Sequence, residues 1–235
     1  MNRVRYFLIS IFLLHHFLFA STEELFQSFS KGESISVKAV VDNYYDAKKS
    51  YDNDSSMLAN YIDACTLLSY EYATGELSSY ENLVENLEKE LNSVIKKYRN
   101  DPDILLKYSD FLYSEFSWNK NNFHIIQRLP IIYRRICSIS PGNKVAQLKL
   151  ALWYANASNK KTGNWNSFIK AQEKNVSLLS GFDLYNAYIL YSMFYLKSYD
   201  TQSGLAYLQK AKELYPNNAL ASLVEYNYSK GIIGW

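Results

Sequence analysis

Residues 185–218 read YNAYILYSMFYLKSYDTQSGLAYLQKAKELYPNN. An apolar periodic run is followed by a short polar break, a second periodic run and a stop at Pro216. Apolar residues recurring every three or four positions predict two consecutive helices. Proline cannot continue the second one. Earlier parts of the chain are looser versions of the same unit, so the stretch identifies a stack of helical hairpins. It identifies no ligand.

Working outward, residues 144–157 and 165–179 form the preceding predicted pair, separated by the polar loop 158–163 and closed by Gly181. Before it, Pro102 opens a helix carrying Ile104, Leu105, Tyr108, Phe111, Leu112 and Phe116. Residues 119–122 break it, and residues 123–140 continue with Ile126, Leu129, Tyr133, Ile136 and Cys137 inward. Pro130 is expected to kink that helix or to mark its true start. The first pair places Leu58, Tyr61, Ile62, Cys65, Leu68 and Tyr72 on one face. Its second helix carries Leu83, Val84, Leu87, Leu91, Val94 and Ile95, after a capping box formed by Ser78 and Glu81. Lys96, Lys97 and Arg99 in its last turn suit the negative end of the helix dipole. Residues 35–51 form an N-terminal capping helix, residues 219–230 a single last helix, and residues 21–34 a leader or linker. The pair-ending breaks at Pro102, Pro141, Gly181 and Pro216 lie 39, 40 and 35 residues apart. Such regular spacing signals an α-solenoid. No alternating strand pattern competes with it.

Tyr188-x2-Tyr191-Ser192-x2-Tyr195 resembles the first helix of a tetratricopeptide repeat (TPR). Gly204-x3-Leu208, Ala211 and Pro216 resemble its second helix and stop. The preceding unit offers Leu150-Ala151-x2-Tyr154, with Gln147 in the place of the large aromatic. The one before offers Tyr108-x2-Phe111 and Leu129-x3-Tyr133, with Glu115 in the place of tyrosine. The resemblance covers roughly residues 54–230. It implies an all-α, right-handed α-solenoid of antiparallel helix pairs (TPR-like). Another helical-hairpin array fits the rhythm too. The resemblance also implies an interaction surface, because first helices line a concave groove in this family. By helical phase that groove face comprises Leu106, Tyr113, Phe116, Val145, Leu148, Leu152, Ile189, Met193 and Leu196. An apolar face of this kind suits a protein partner, a second copy of the chain, or a small hydrophobic or lipid-like ligand. The alternative is that these side chains pack inside the superhelix or under the N-terminal segment. Family members that hold a carboxylate use Lys and Asn there, whereas Asn186 and Lys197 are isolated among apolar residues.

Composition bounds the remaining possibilities. Hydrophobic residues make up 48% of the 235, enough for a sizeable core, and 22 are tyrosine. Tyrosine buries a ring while its hydroxyl finds a polar partner, which suits helices partly covered by neighbours. Residues 1–20 read as a secretory signal peptide: Arg3 and Arg5, then an apolar run ending at Ala20. Export to a periplasm or cell envelope, or secretion, is therefore expected, with stable membrane insertion only if the leader stays uncleaved. Removing Arg3 and Arg5 from the 25 Lys+Arg leaves 23, against 23 Asp+Glu. That balance gives no electrostatic footprint for nucleic acid.

Catalysis has little support. The chain beyond the leader has one histidine, His124, thirteen residues from Cys137 on one predicted helix and so several turns away. No metal-binding, redox or phosphate-cradling motif is present, so no catalytic residue, metal or cofactor is expected. Glu81, Glu85, Glu88 and Glu90 read as a solvated helix face. Cys65 and Cys137 read as buried free thiols, and Arg134 and Arg135 as a possible anion contact. Residues 1–20, 21–53 and 54–235 thus divide as leader, linker with capping helix, and repeat domain. The expected function is a non-catalytic scaffold binding a protein or itself. The alternative is an accessory protein holding a small hydrophobic molecule, as a transport-system component does.

Overall fold

The structure is a computed structural model that describes residues 21–73, 78–118, 123–157 and 165–231. The leader, residues 1–20, lies outside them. The described residues form helices and no strands. The α-helices are α1 (Thr22–Ser30), α2 (Val37–Asn53), α3 (Leu58–Ala73), α4 (Glu81–Ile95), α5 (Pro102–Trp118), α6 (Phe123–Ile139), α7 (Lys144–Ala157), α8 (Trp165–Gln172), α9 (Gly181–Lys197), α10 (Thr201–Leu214) and α11 (Ala219–Ser229). From α3 onward the packing alternates. Helix α3 packs on α5, α7 on α9, and α9 on α11. Helix α4 sits on α3 and α5, α6 on α5 and α7, and α10 on α9 and α11. Helix α8 packs on α7, and the 3-10 segment Glu173–Leu178 after it reaches both α7 and α9.

Close approach at the last pair depends on small side chains. Gly204, Ala211 and Ser192 are all buried. A Cβ on Gly204 would stand 2.7 Å from Leu196 Cγ and Cδ2. Ser192 is fully buried as well, so these small residues lie where helices meet. The tyrosines behave as composition suggests. Tyr191 Oη donates to the Ile169 carbonyl at 3.0 Å and Tyr195 Oη to Glu173 at 2.6 Å. Tyr207 Oη donates to the same carboxylate. Tyr185 Oη donates to Asn218 Oδ1 at 2.8 Å and accepts from the Ala221 amide at 3.1 Å. The first turn of α11 is thereby tied to α9.

Three expectations need correction. Residues 21–34, read as a leader or linker, contain helix α1. Ser21 Oγ accepts from the Glu24 amide while Glu24 accepts from the Ser21 amide, a reciprocal cap that starts the helix. Leu25 is buried, which contributes about 1.5–3 kcal/mol. The Ser78–Glu81 capping box does not form the start of α4. A 3-10 turn over Ser78–Tyr80 precedes it, and Tyr80 at the N-cap makes no side-chain cap bond. Pro130 lies inside α6 and so does not mark the start of the helix. It is the eighth of seventeen residues, its missing amide removes one rung, and its ring is buried.

Candidate functional site

Five of the nine residues expected on an open groove, Leu148, Leu152, Ile189, Met193 and Leu196, are buried in contacts between helices. Leu148 and Leu152 are buried with Ala151, Ala187, Tyr191 and Phe194, in the contact of α7 with α9. Ile189, Met193 and Leu196 are buried with Leu208, Ala211, Tyr215, Ala221 and Val224, in the contact of α9 with α10 and α11. Leu106 and Tyr113 are half-buried against the N-terminal core, and Val145 against the central one. Phe116 lies on α5, and its side chain is outside the described residues. Helix α9 has buried positions all the way round, from Tyr185 to Leu196, so helical phase does not single out an open face. A helix apolar on every side offers no polar stripe from which to choose the face.

The chain fills its own interior. Helix α1 packs on both α3 and α9. Phe29 stacks on Tyr70 of α3 at 5.4 Å and meets Phe182 of α9 edge-on at 5.6 Å. Tyr70 and Phe182 also touch directly, at 5.5 Å. Asn43 of α2 donates to Thr22 at 3.1 Å. The N-terminal segment therefore joins the first and last helix pairs. Gly32 is held at φ +68°, and a Cβ there would stand 2.6 Å from the Asn217 carbonyl oxygen. Backbone meets backbone at that point, which only glycine allows.

Charges link the odd-numbered helices. Lys107 of α5 pairs with Asp63 of α3 at 2.5 Å. Lys149 of α7 pairs with Asp110 of α5 at 2.5 Å and with Asp183 of α9 at 3.2 Å. Burial opposes the Lys149 charge, but the two carboxylates outweigh it and hold its pKa above the ordinary value. Burial and the neighbouring Asp183 push the Asp110 carboxyl up, against the pull of Lys149. The arrangement is a structural clamp: both carboxylates are met by one ammonium, and side-chain bonds account for them.

A second polar cluster lies between α4, α5 and α6. Arg128 Nη1 donates to Glu88 at 2.5 Å, and Nη2 to Asn92 Oδ1 and Tyr108 Oη at 2.6 Å each. The guanidinium also lies 5.6 Å from the centre of the Tyr108 ring. Burial pushes the Tyr108 hydroxyl up to about 12, against the pull of Arg128. Beside this clamp is a cleft of about 330 Å³ lined by Asn92, Ile95, Lys96, Arg99, Leu105, Tyr108, Arg128, Ile131 and Ile132. Lys96 and Arg99 share the cleft with Arg128 of α6, whereas Arg134 Nε bonds the Pro130 carbonyl of its own helix at 3.2 Å. Arg135 reaches the Arg99 carbonyl at 3.4 Å and also bonds Asn100.

Cys65 and Cys137 are free thiols, the first buried and the second half-buried. Burial pushes both thiols up, away from thiolate chemistry. The His124 side chain lies outside the described residues. Among the described residues no group of three His, Cys, Asp or Glu side chains is placed to hold a metal ion. No described helix is long and apolar enough to cross a membrane. At the far end of the chain, Leu223 and Tyr226 of α11 are 42% and 58% exposed. No protein-family model, curated protein or solved structure matches this chain.

Proposed function

We propose that this chain is an exported, non-catalytic scaffold, a TPR-like right-handed α-solenoid that binds a protein partner or a second copy of itself. Supporting the solenoid reading are the alternating helix contacts and the 35- to 40-residue spacing of breaks. The leader-like residues 1–20 support export. The binding surface in this reading is not the face of Leu148, Met193 and their companions, because those side chains are consumed by internal packing. It is the outward side of α11, where Leu223 and Tyr226 stand one turn apart and exposed. That exposure is the observation that carries the reading: an array grows by covering one pair with the next, so a helix side that keeps two large apolar residues in water is where a further helix stacks.

Sedimentation velocity over a range of concentrations tests self-association, and cross-linking with mass spectrometry in the native extract tests a partner. The variant Leu223→Lys with Tyr226→Lys should fold normally and lose either association. Unchanged association in that folded variant refutes α11 as the surface.

A further inference from the structure

We propose that the cleft between α4, α5 and α6 is a binding site for an anionic amphiphile, a small molecule with one carboxylate- or phosphate-type head and a short hydrocarbon body. The site is on another part of the molecule from α11, and its argument is independent of partner binding.

The head has a defined place. Lys96 and Arg99 line the cleft from the end of α4, and Arg128 lines it from α6. Glu88 already meets the Arg128 charge, and Asn92 also donates to that carboxylate, at 3.2 Å. Lys96 and Arg99 have no ion-pair partner among the described residues. Attraction to the end of the α4 dipole explains a cation in that turn. Arg128 is held beside them by Glu88, Asn92 and Tyr108, so the charge left over for an anion is that of Lys96 and Arg99. With Arg135 bonded to the Arg99 carbonyl and to Asn100, the mouth is cationic from two helices.

The body has a place as well. Ile95, Leu105, Ile131 and Ile132 supply an apolar lining beside the cations. Ile131 is 63% exposed, an isoleucine left uncovered at the edge of a cleft. The volume of about 330 Å³ falls at the small end of the roughly 300–1,000 Å³ typical of small-molecule sites. A cationic rim over an apolar wall matches a molecule that is charged at one end and oily at the other. A free anion would leave Ile131 exposed, and a neutral hydrocarbon would leave Lys96 and Arg99 unused.

Decanoate is the probe, titrated into the purified protein by calorimetry, with decanol as the uncharged counterpart. Vesicles of phosphatidylglycerol and of phosphatidylcholine separate a soluble ligand from a bilayer surface. Saturable decanoate binding at one site is expected, with decanol weaker. The exposed pair Lys96→Glu with Arg99→Glu should weaken decanoate about tenfold or more. Lys174→Glu, an exposed cation elsewhere, should leave it unchanged. Circular dichroism verifies that the variants stay folded. The proposal is overturned if decanoate does not saturate a site, if decanol binds equally well, or if Lys174→Glu weakens binding as much as the cleft pair. Binding to phosphatidylglycerol vesicles without decanoate binding also overturns it, because that identifies a surface rather than a cleft.

Discussion

Glu115 of α5 carries a carboxyl that is only 2% exposed. Ser69 Oγ donates to it at 3.3 Å. Burial outweighs that bond and pushes its carboxyl from 4.5 up to about 8. At pH 7 the folded chain therefore keeps a proton that the unfolded chain has lost. Because the folded-state pKa is the higher one, the stability present below pH 4.5 declines as pH rises towards about 8. Each pH unit in that window costs about 1.4 kcal/mol. Neutral pH lies two and a half units above 4.5, so the ceiling is about 3 kcal/mol. Relaxation around the carboxyl lowers the expected cost to about 2 kcal/mol. Glu115→Gln keeps the shape and cannot ionise. Urea unfolding at pH 5, 7 and 9 should show the variant within about 1 kcal/mol of the parent at pH 5 and more stable by about 2 kcal/mol at pH 7. Its melting temperature at pH 7 should rise by roughly 4–8 °C for a chain of this size. A stability difference that is the same at pH 5 and pH 9 would refute the argument, as would a variant weaker at every pH.

Two further outcomes follow from the packing. Met193→Lys puts an ammonium where the side chain is 7% exposed; it should lose cooperative unfolding or fall by about 3 kcal/mol or more. Retained stability in a denaturant melt would mean that α9 is free to expose that face. Gly204→Ala adds a methyl 2.7 Å from Leu196 and should destabilise by about 1–2 kcal/mol despite alanine's better helix propensity. In a Leu196→Ala background the same change should become neutral or stabilising, a sign reversal that a double-mutant cycle of urea midpoints would detect.

Much of the fold was legible before any coordinates. The periodic runs around Leu58, Leu87, Leu105, Leu129 and Leu208 all mark buried helix faces, because a surface helix must segregate its apolar side chains to pack. Helix α1 was missed because its start is written in polar residues. Ser21, Thr22 and Glu24 read as linker until the cap bond and the burial of Leu25 are seen together. The groove failed for the opposite reason. Tyr185, Ile189, Tyr191, Met193 and Tyr195 crowd every side of α9, so periodicity predicts a helix and leaves its rotation open. The cleft at Arg128 is half legible: the sequence displays its cations singly, but only the fold brings Lys96 and Arg99 beside Arg128 of α6, more than 28 residues along the chain.

Sequence alone determined the helical composition, the pairwise rhythm and the charge balance beyond residue 20, because local periodicity, turn residues and counts need no partner to be read. Tertiary structure decided which apolar faces were consumed and which stayed open. It turned Leu148 and Met193 into core, seated Phe29 between Tyr70 and Phe182, and left Leu223, Tyr226 and Ile131 uncovered. The physical reason is that burial is a property of pairs of surfaces. A residue specifies that it is apolar, while only the packed chain specifies what, if anything, lies against it.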